Sequence, residues 1–228
     1  NRGVPHSGAL YPPSAHQPVQ LLREFWLGNL RLWRDAAGGL SLAVTTLFWG
    51  VGATLQFAVL HWADAVLGLA LDRAAYLQAA VAIGVVLGAW AAGCWVPLAR
   101  ARHMLWAGVA LGLLMPLMAH TTQLPLVLPL LVLVGAVGGL MVVPLNALLQ
   151  HRGHALLSAG RSIAVQGFNE NASVLLMLGV YAGLMALKLP IVEVMSALGL
   201  AIALAMLALI GRQRWRRRPG LLKPQAEL

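Results

Sequence analysis

Six long apolar runs, separated by short polar intervals, organise the chain at about 40–63, 76–98, 104–120, 125–149, 163–187 and 190–210. A helix that crosses a bilayer needs about 20 predominantly apolar residues, with a range of about 17–25. Each run meets that length, so the pattern predicts six transmembrane helices. The Gly residues inside them do not argue for breaks, because small residues suit helices packed closely in lipid. Ahead of the runs, residues 21–35 (LLREFWLGNLRLWRD) follow a different pattern. Leu22, Phe25, Trp26, Leu30 and Trp33 recur at helical spacing, with Arg23, Arg31 and Arg34 largely opposite. Such an amphipathic helix suits the membrane interface, and it suits packing on the end of a bundle equally well. Residues 1–20 carry Pro5, Pro12, Pro13 and Pro18 among polar residues and read as a linker.

Composition agrees with the pattern. Apolar residues make up 60% of the 228, and charged residues only 10%; mean hydropathy is +0.78. A soluble domain is about a quarter charged, so disordered chains, disulfide scaffolds and most soluble enzymes are excluded. Cys94 is the single cysteine and has no internal partner.

The net charge of +9 changes the picture through where it sits. Arg23, Arg31 and Arg34 precede the first run, and Arg100 and Arg102 lie between the second and third. Arg152 and Arg161 lie between the fourth and fifth, and Arg212, Arg214, Arg216, Arg217, Arg218 and Lys223 follow the sixth. The other side has Arg73 and Lys188. The positive-inside bias then places both termini in the cytoplasm. It also accounts for the RQRWRRR tail as an anchor beside anionic lipid, with no nucleic acid needed. The expected organisation is a Pro-rich cytoplasmic linker at 1–20, an interfacial helix at 21–36, a six-helix bundle at 37–212 and a basic cytoplasmic tail at 213–228. The chain opens at Asn1 and reads as a piece of something longer. Six spans with both ends inside are half of a common transporter architecture, in which two six-helix halves flank a central pathway.

Intramembrane charge is expensive and points to function. The fifth run, IAVQGFNENASVLLMLGVYAGL, places Glu170 roughly 10 Å inside at about 1.5 Å per residue. Gln166, Glu170 and Ser173 share a face with Met177 and Tyr181, and Asn169 and Asn171 flank it. A polar stripe turning apolar fits a pathway for an amphiphile; the bland reading is a protonated Glu170 with Asn and Gln groups bonding neighbouring helices. Gln56, in the first run, fits an interhelical hydrogen bond better than a ligand contact. Gly135 and Gly139, with Gly138 alongside, form a small-xxx-small face for packing. Pro144 is placed to kink its helix, and Asn146 follows near the interface. His151 and His154 lack the further ligands of a zinc site, and no GxSxG, Walker loop or HExxH occurs. No metal or cofactor is expected, and no enzyme.

Four segments carry a resemblance. TTLFWGVGATLQF (45–57), YLQAAVAIGVVLGAWAAG (76–93), GGLMVVPLNALLQHRG (138–153) and AGRSIAVQGFNENASVLLMLGVYAG (159–183) are similar to the C-terminal half of bacterial lysophospholipid transporters of the major facilitator superfamily. The resemblance runs from about residue 36 to 212. It implies an all-α fold in which these helices are spans seven to twelve of twelve. It implies flippase-like movement of lysophospholipids, chiefly lysophosphatidylethanolamine, from the outer to the inner leaflet of the inner membrane. The implied partners are a missing N-terminal six-helix half, membrane lipids and an acyltransferase–acyl-carrier-protein synthetase that re-acylates the product. Glu170 falls on the family's EN motif, which implies a pathway role. Family members carry a basic residue where this chain has Gln56, a departure that weighs against charge pairing there. A facilitator half with another small-molecule substrate, or a non-transporting membrane scaffold, are the competing readings.

Overall fold

The computed structural model describes residues 18–216; most of the 1–20 linker and most of the 213–228 tail lie outside them. The described residues contain helices and no strand. They are α1 (Pro18–Arg34), α2 (Gly38–Leu67), α3 (Leu71–Trp95), a 3-10 segment (Leu98–Met104) leading into α4 (Leu105–Ala119), α5 (Leu124–Leu156), α6 (Ala159–Ala186) and α7 (Ile191–Arg216).

Five of these are long and apolar enough to cross a membrane: α2, α3, the 3-10 segment with α4, α5, and α7. The expected sixth, α6, has the length, at 28 residues. Its hydropathy is lowered by Gln166, Asn169, Glu170 and Asn171, all within two turns. Composition alone therefore supports five spans where the apolar runs predict six. The helices also outrun those runs. α5 continues through Pro129 and Pro144 to Leu156, because backbone hydrogen bonding continues after the sequence turns polar.

Helix ends show how the chain turns. Gly68 sits at φ +62°, and its left-handed backbone closes α2, with its own N–H bonded to the carbonyl of Asp64 and the N–H of Leu69 to that of Ala63. Asp35, in the turn from α1, accepts from the N–H of Gly38 (2.6 Å) and of Ala37 (3.1 Å), satisfying donors at the start of α2. Ser158 caps α6 through Arg161 N–H.

The tightest helix pairs skip their sequence neighbours: α3 lies on α5, α4 on α7, and α2 on α6. The α3–α5 pair is parallel and built on glycine. A Cβ on Gly84 or Gly88 would run into the α5 backbone at Val132 and Ala136. One on Gly135 or Gly139 would run into the α3 backbone at Val81 and Val85. The small-xxx-small face of α5 thus meets a matching face on α3, so the two backbones touch. In the antiparallel α4–α7 pair, Gly112 and Gly199 face each other. The core between the pairs holds Trp62, Met115, Met118, Met141, Met195 and Met206. The buried Trp62 satisfies its N–H on the carbonyl of Ala119 at 2.9 Å.

One end of this bundle gathers the start of α2, the 3-10 segment, the end of α5 and the start of α6. It is the basic end, and α1 lies across it. Leu32 is fully buried against Leu42, Leu149 and Val165, while Leu22, Trp26 and Leu30 on the other flank of α1 are exposed. Arg152 pairs with Asp35 (Nη2 to Oδ2 2.5 Å, Nε to Oδ1 3.1 Å), and Arg161 with Glu24 at 2.6 Å. Both pairs tie α1 and its following turn to α5 and α6.

Candidate functional site

The polar level of α6 divides between two neighbours. Gln166 stands one turn before Glu170, and its amide donates to Glu170 Oε1 at 2.9 Å and to Asn146 Oδ1 of α5 at 2.8 Å. Thr45 of α2, fully buried beside the Glu170 carboxyl, donates its hydroxyl to the carbonyl of Leu42 at 3.2 Å. Glu170 is half-buried. Among the described residues no Lys, Arg or His forms an ion pair with it. α2, α5 and α6 thus assemble a cluster of Thr45, Asn146, Gln166 and Glu170 around one carboxylate, which retains acceptor capacity for a donor from outside the cluster.

Asn169 faces the other way. It accepts from Trp33 Nε1–H at 3.0 Å and donates to Asn29 Oδ1 at 2.8 Å and to the carbonyl of Val165 at 2.7 Å. Its hydrogen bonds go to α1 and to its own helix. Phe168, beside it, packs edge-on against Phe25 and Trp26. Asn171 is exposed and bonds the carbonyl of Gly167 in its own helix at 2.7 Å. Further along, Ser173 and Met177 lie against Gly50 of α2, and the Tyr181 hydroxyl is 3.4 Å from His61 Nδ1. The face that sequence periodicity offers as a pathway therefore lies along α2 for much of its length, with the Glu170 cluster near its basic end.

Gln56 is not part of that cluster. It is exposed, and its backbone carbonyl accepts from Gln78 Nε2 of α3 at 3.0 Å. The two glutamines line an apolar cavity of about 570 Å³, walled by Phe48, Trp49, Met115 and Met141 among others. Such a volume suits a small ligand or part of an alkyl chain. Asn146 and Thr45 are the site residues that sequence reasoning missed. Asn146 carried a signal, as an amide near the end of an apolar run, but nothing in the sequence tied it to Gln166. No group of three or more His, Cys, Asp or Glu that could hold a metal occurs among the described residues.

Fold and site together define a multi-pass helical membrane protein with a carboxylate-centred polar cluster in an otherwise apolar bundle. The chain is homologous to the lysophospholipid transporter LplT. It is 41% identical to that protein of Yersinia enterocolitica over 194 residues, covering 84% of this chain and 48% of the relative. It is 39% identical to that of Escherichia coli K12 over 217 residues, covering 94% of this chain and 54% of the relative. The chain spans about half the length of the curated relatives it matches. No family model matches it, and no solved structure does.

Proposed function

We propose that this chain is the C-terminal half of a lysophospholipid transporter of the major facilitator type. It moves lysophosphatidylethanolamine and related lysolipids from the outer to the inner leaflet of a bacterial inner membrane, with both termini in the cytoplasm and α6 as the sixth span. The observation that carries this reading is the half-buried Glu170 carboxylate, held by Gln166 and without a cationic partner among the described residues, in a homologue of proteins named as lysophospholipid transporters.

A lysolipid presents one acyl chain and a polar head. The ammonium of an ethanolamine head supplies the cationic partner that Glu170 lacks among the described residues, and a charge-assisted bond of this kind is stronger than a neutral one. Gln166, itself held by Asn146, holds the carboxylate in place. The single tail stays in apolar surroundings, which avoids exposing it to water; the cavity beside Gln56 and Gln78 supplies such a wall. Rocking of this half against the other alternates access. Re-acylation then falls to an acyltransferase–acyl-carrier-protein synthetase on the inner side.

Uptake of labelled lysophosphatidylethanolamine by transporter-deficient spheroplasts tests the reading, with this chain expressed alone and with a six-span N-terminal half. Uptake is expected only with both halves. Glu170→Gln should lower it roughly tenfold, the worth of one charge-assisted hydrogen bond, at unchanged membrane insertion. Full uptake by the variant at equal expression would remove Glu170 from the pathway. No uptake with both halves inserted and a full-length control working would redirect the search to another substrate or a scaffold role.

A further inference from the structure

Two crevices at the basic end of the bundle meet on Trp33, Leu209 and Arg212. The inner one, about 250 Å³, is walled by Arg102 from the 3-10 segment, Arg212 and Gln213 from α7, and Asp35. The outer one, about 480 Å³, continues between α2 and α7 over Ala43, Leu47, Ala205 and Ala208. Beyond the shared Arg212 it is apolar apart from Thr46 and Ser173, and the Thr46 hydroxyl is buried with no hydrogen-bond partner among the described residues.

Charge decides what such a crevice can hold. The Asp35 carboxylate is already engaged by Arg152 and by two backbone N–H groups. Neither Arg102 nor Arg212 forms an ion pair among the described residues. Two guanidinium groups thus border one small crevice without a free carboxylate, and an apolar groove leads away from them along two membrane-spanning helices. Trp33 has given its N–H to Asn169, so its ring serves as a wall where the two parts join, a placement tryptophan favours at a membrane surface.

We propose that this continuous crevice is a binding site for one anionic phospholipid. Its phosphate sits between Arg102 and Arg212, which suit it because guanidinium groups bind phosphate through paired N–H donors. One acyl chain lies in the groove between α2 and α7. None of Glu170, Gln166 or Asn146 lines either crevice, and Ser173 is the one residue of that α6 face that borders the outer one.

Native mass spectrometry of the purified chain tests this, with phosphatidylglycerol against phosphatidylcholine and with the chain alone or joined by its co-expressed partner half. Phosphatidylglycerol is expected to be retained roughly tenfold over phosphatidylcholine. The R102Q/R212Q variant should lose that preference, and R102K/R212K should keep part of it. Ala208→Trp leaves both arginines in place and fills the groove, and it should lower retention as well. Equal retention of the two lipids, or a preference untouched by R102Q/R212Q, would overturn the proposal. So would displacement of the lipid by excess inorganic phosphate, which marks a free-ion site, or its loss when the partner half binds, which marks an interface between halves.

Discussion

Asp35 couples three pieces of chain through one carboxylate. The hydrogen bond from Arg152 lowers its pKa from the ordinary 3.8 to about 2, helped by the Gly38 and Ala37 amides and opposed by burial. A depressed carboxylate pKa contributes stability that is present above the ordinary value and is lost as pH falls through the folded one. Asp35→Asn keeps a capping oxygen but loses the ion pair. It should destabilise the bundle by on the order of 1 kcal/mol, a modest figure because solvent reaches Arg152 and screens the pair. Thermal unfolding in detergent should show the gap between the two proteins at pH 5 and above, closing as pH approaches 2. A gap independent of pH would deny the ion pair its role. The residue scale is also where sequence reading was least complete. Gln166 and Glu170 are four apart on one helix, so their hydrogen bond is legible as spacing. Asn146 joins from α5 by accepting from Gln166, and Thr45 lies alongside from α2; no local pattern announces either. Asn169 and Asn171 are neighbours of Glu170 in sequence, yet a helix turns about 100° per residue. One therefore bonds α1, and the other only its own backbone.

Among the elements, the helices were readable because apolar runs of the right length leave few alternatives to a spanning helix. Their partners were not readable. Gly135 and Gly139 stood out as a packing face, but the matching Gly84 and Gly88 lie about fifty residues earlier and complete it only in three dimensions. Gly88→Val should force α3 away from Ala136 and cost about 1–3 kcal/mol, as overpacking does. Gly93→Ala, at a site where a Cβ meets nothing within 4 Å, should leave the melting temperature unchanged. A similar loss for both variants would show that backbone contact between α3 and α5 is not what the glycines provide. The amphipathic stretch before the bundle packs one face on the bundle and leaves another exposed. Leu32 and Asn29 are buried against the bundle, while Leu22 and Trp26 point outward, and periodicity alone does not divide a stripe between two neighbours.

For the whole molecule, the proposed orientation with the basic end in the cytoplasm can be measured. Cys94 is exposed near the end of α3, close to the arginines of the 3-10 segment. With the basic end facing the cytoplasm, a membrane-impermeant maleimide should label Cys94 in inside-out vesicles and leave it unlabelled in intact spheroplasts. The opposite pattern would invert the topology. α6 bears on the same scale, since its polar level is covered on two sides by α1 and α2.

The interleaved pairing of α3 with α5, α4 with α7 and α2 with α6 also sets a timetable for biosynthesis. When α3 leaves the ribosome, the surface that will bury Gly84 and Gly88 has not yet been translated. α4 must enter the membrane next and remain to one side until α5 arrives, and α4 itself waits for α7. None of these three pairs can close before the second half of the chain is made, so a nascent chain stopped before Leu124 has only the lesser contacts of α2 with α1 and α3. Quality-control proteases that recognise open helix faces have their best opportunity in that interval, and it ends only when α7 seats on α4.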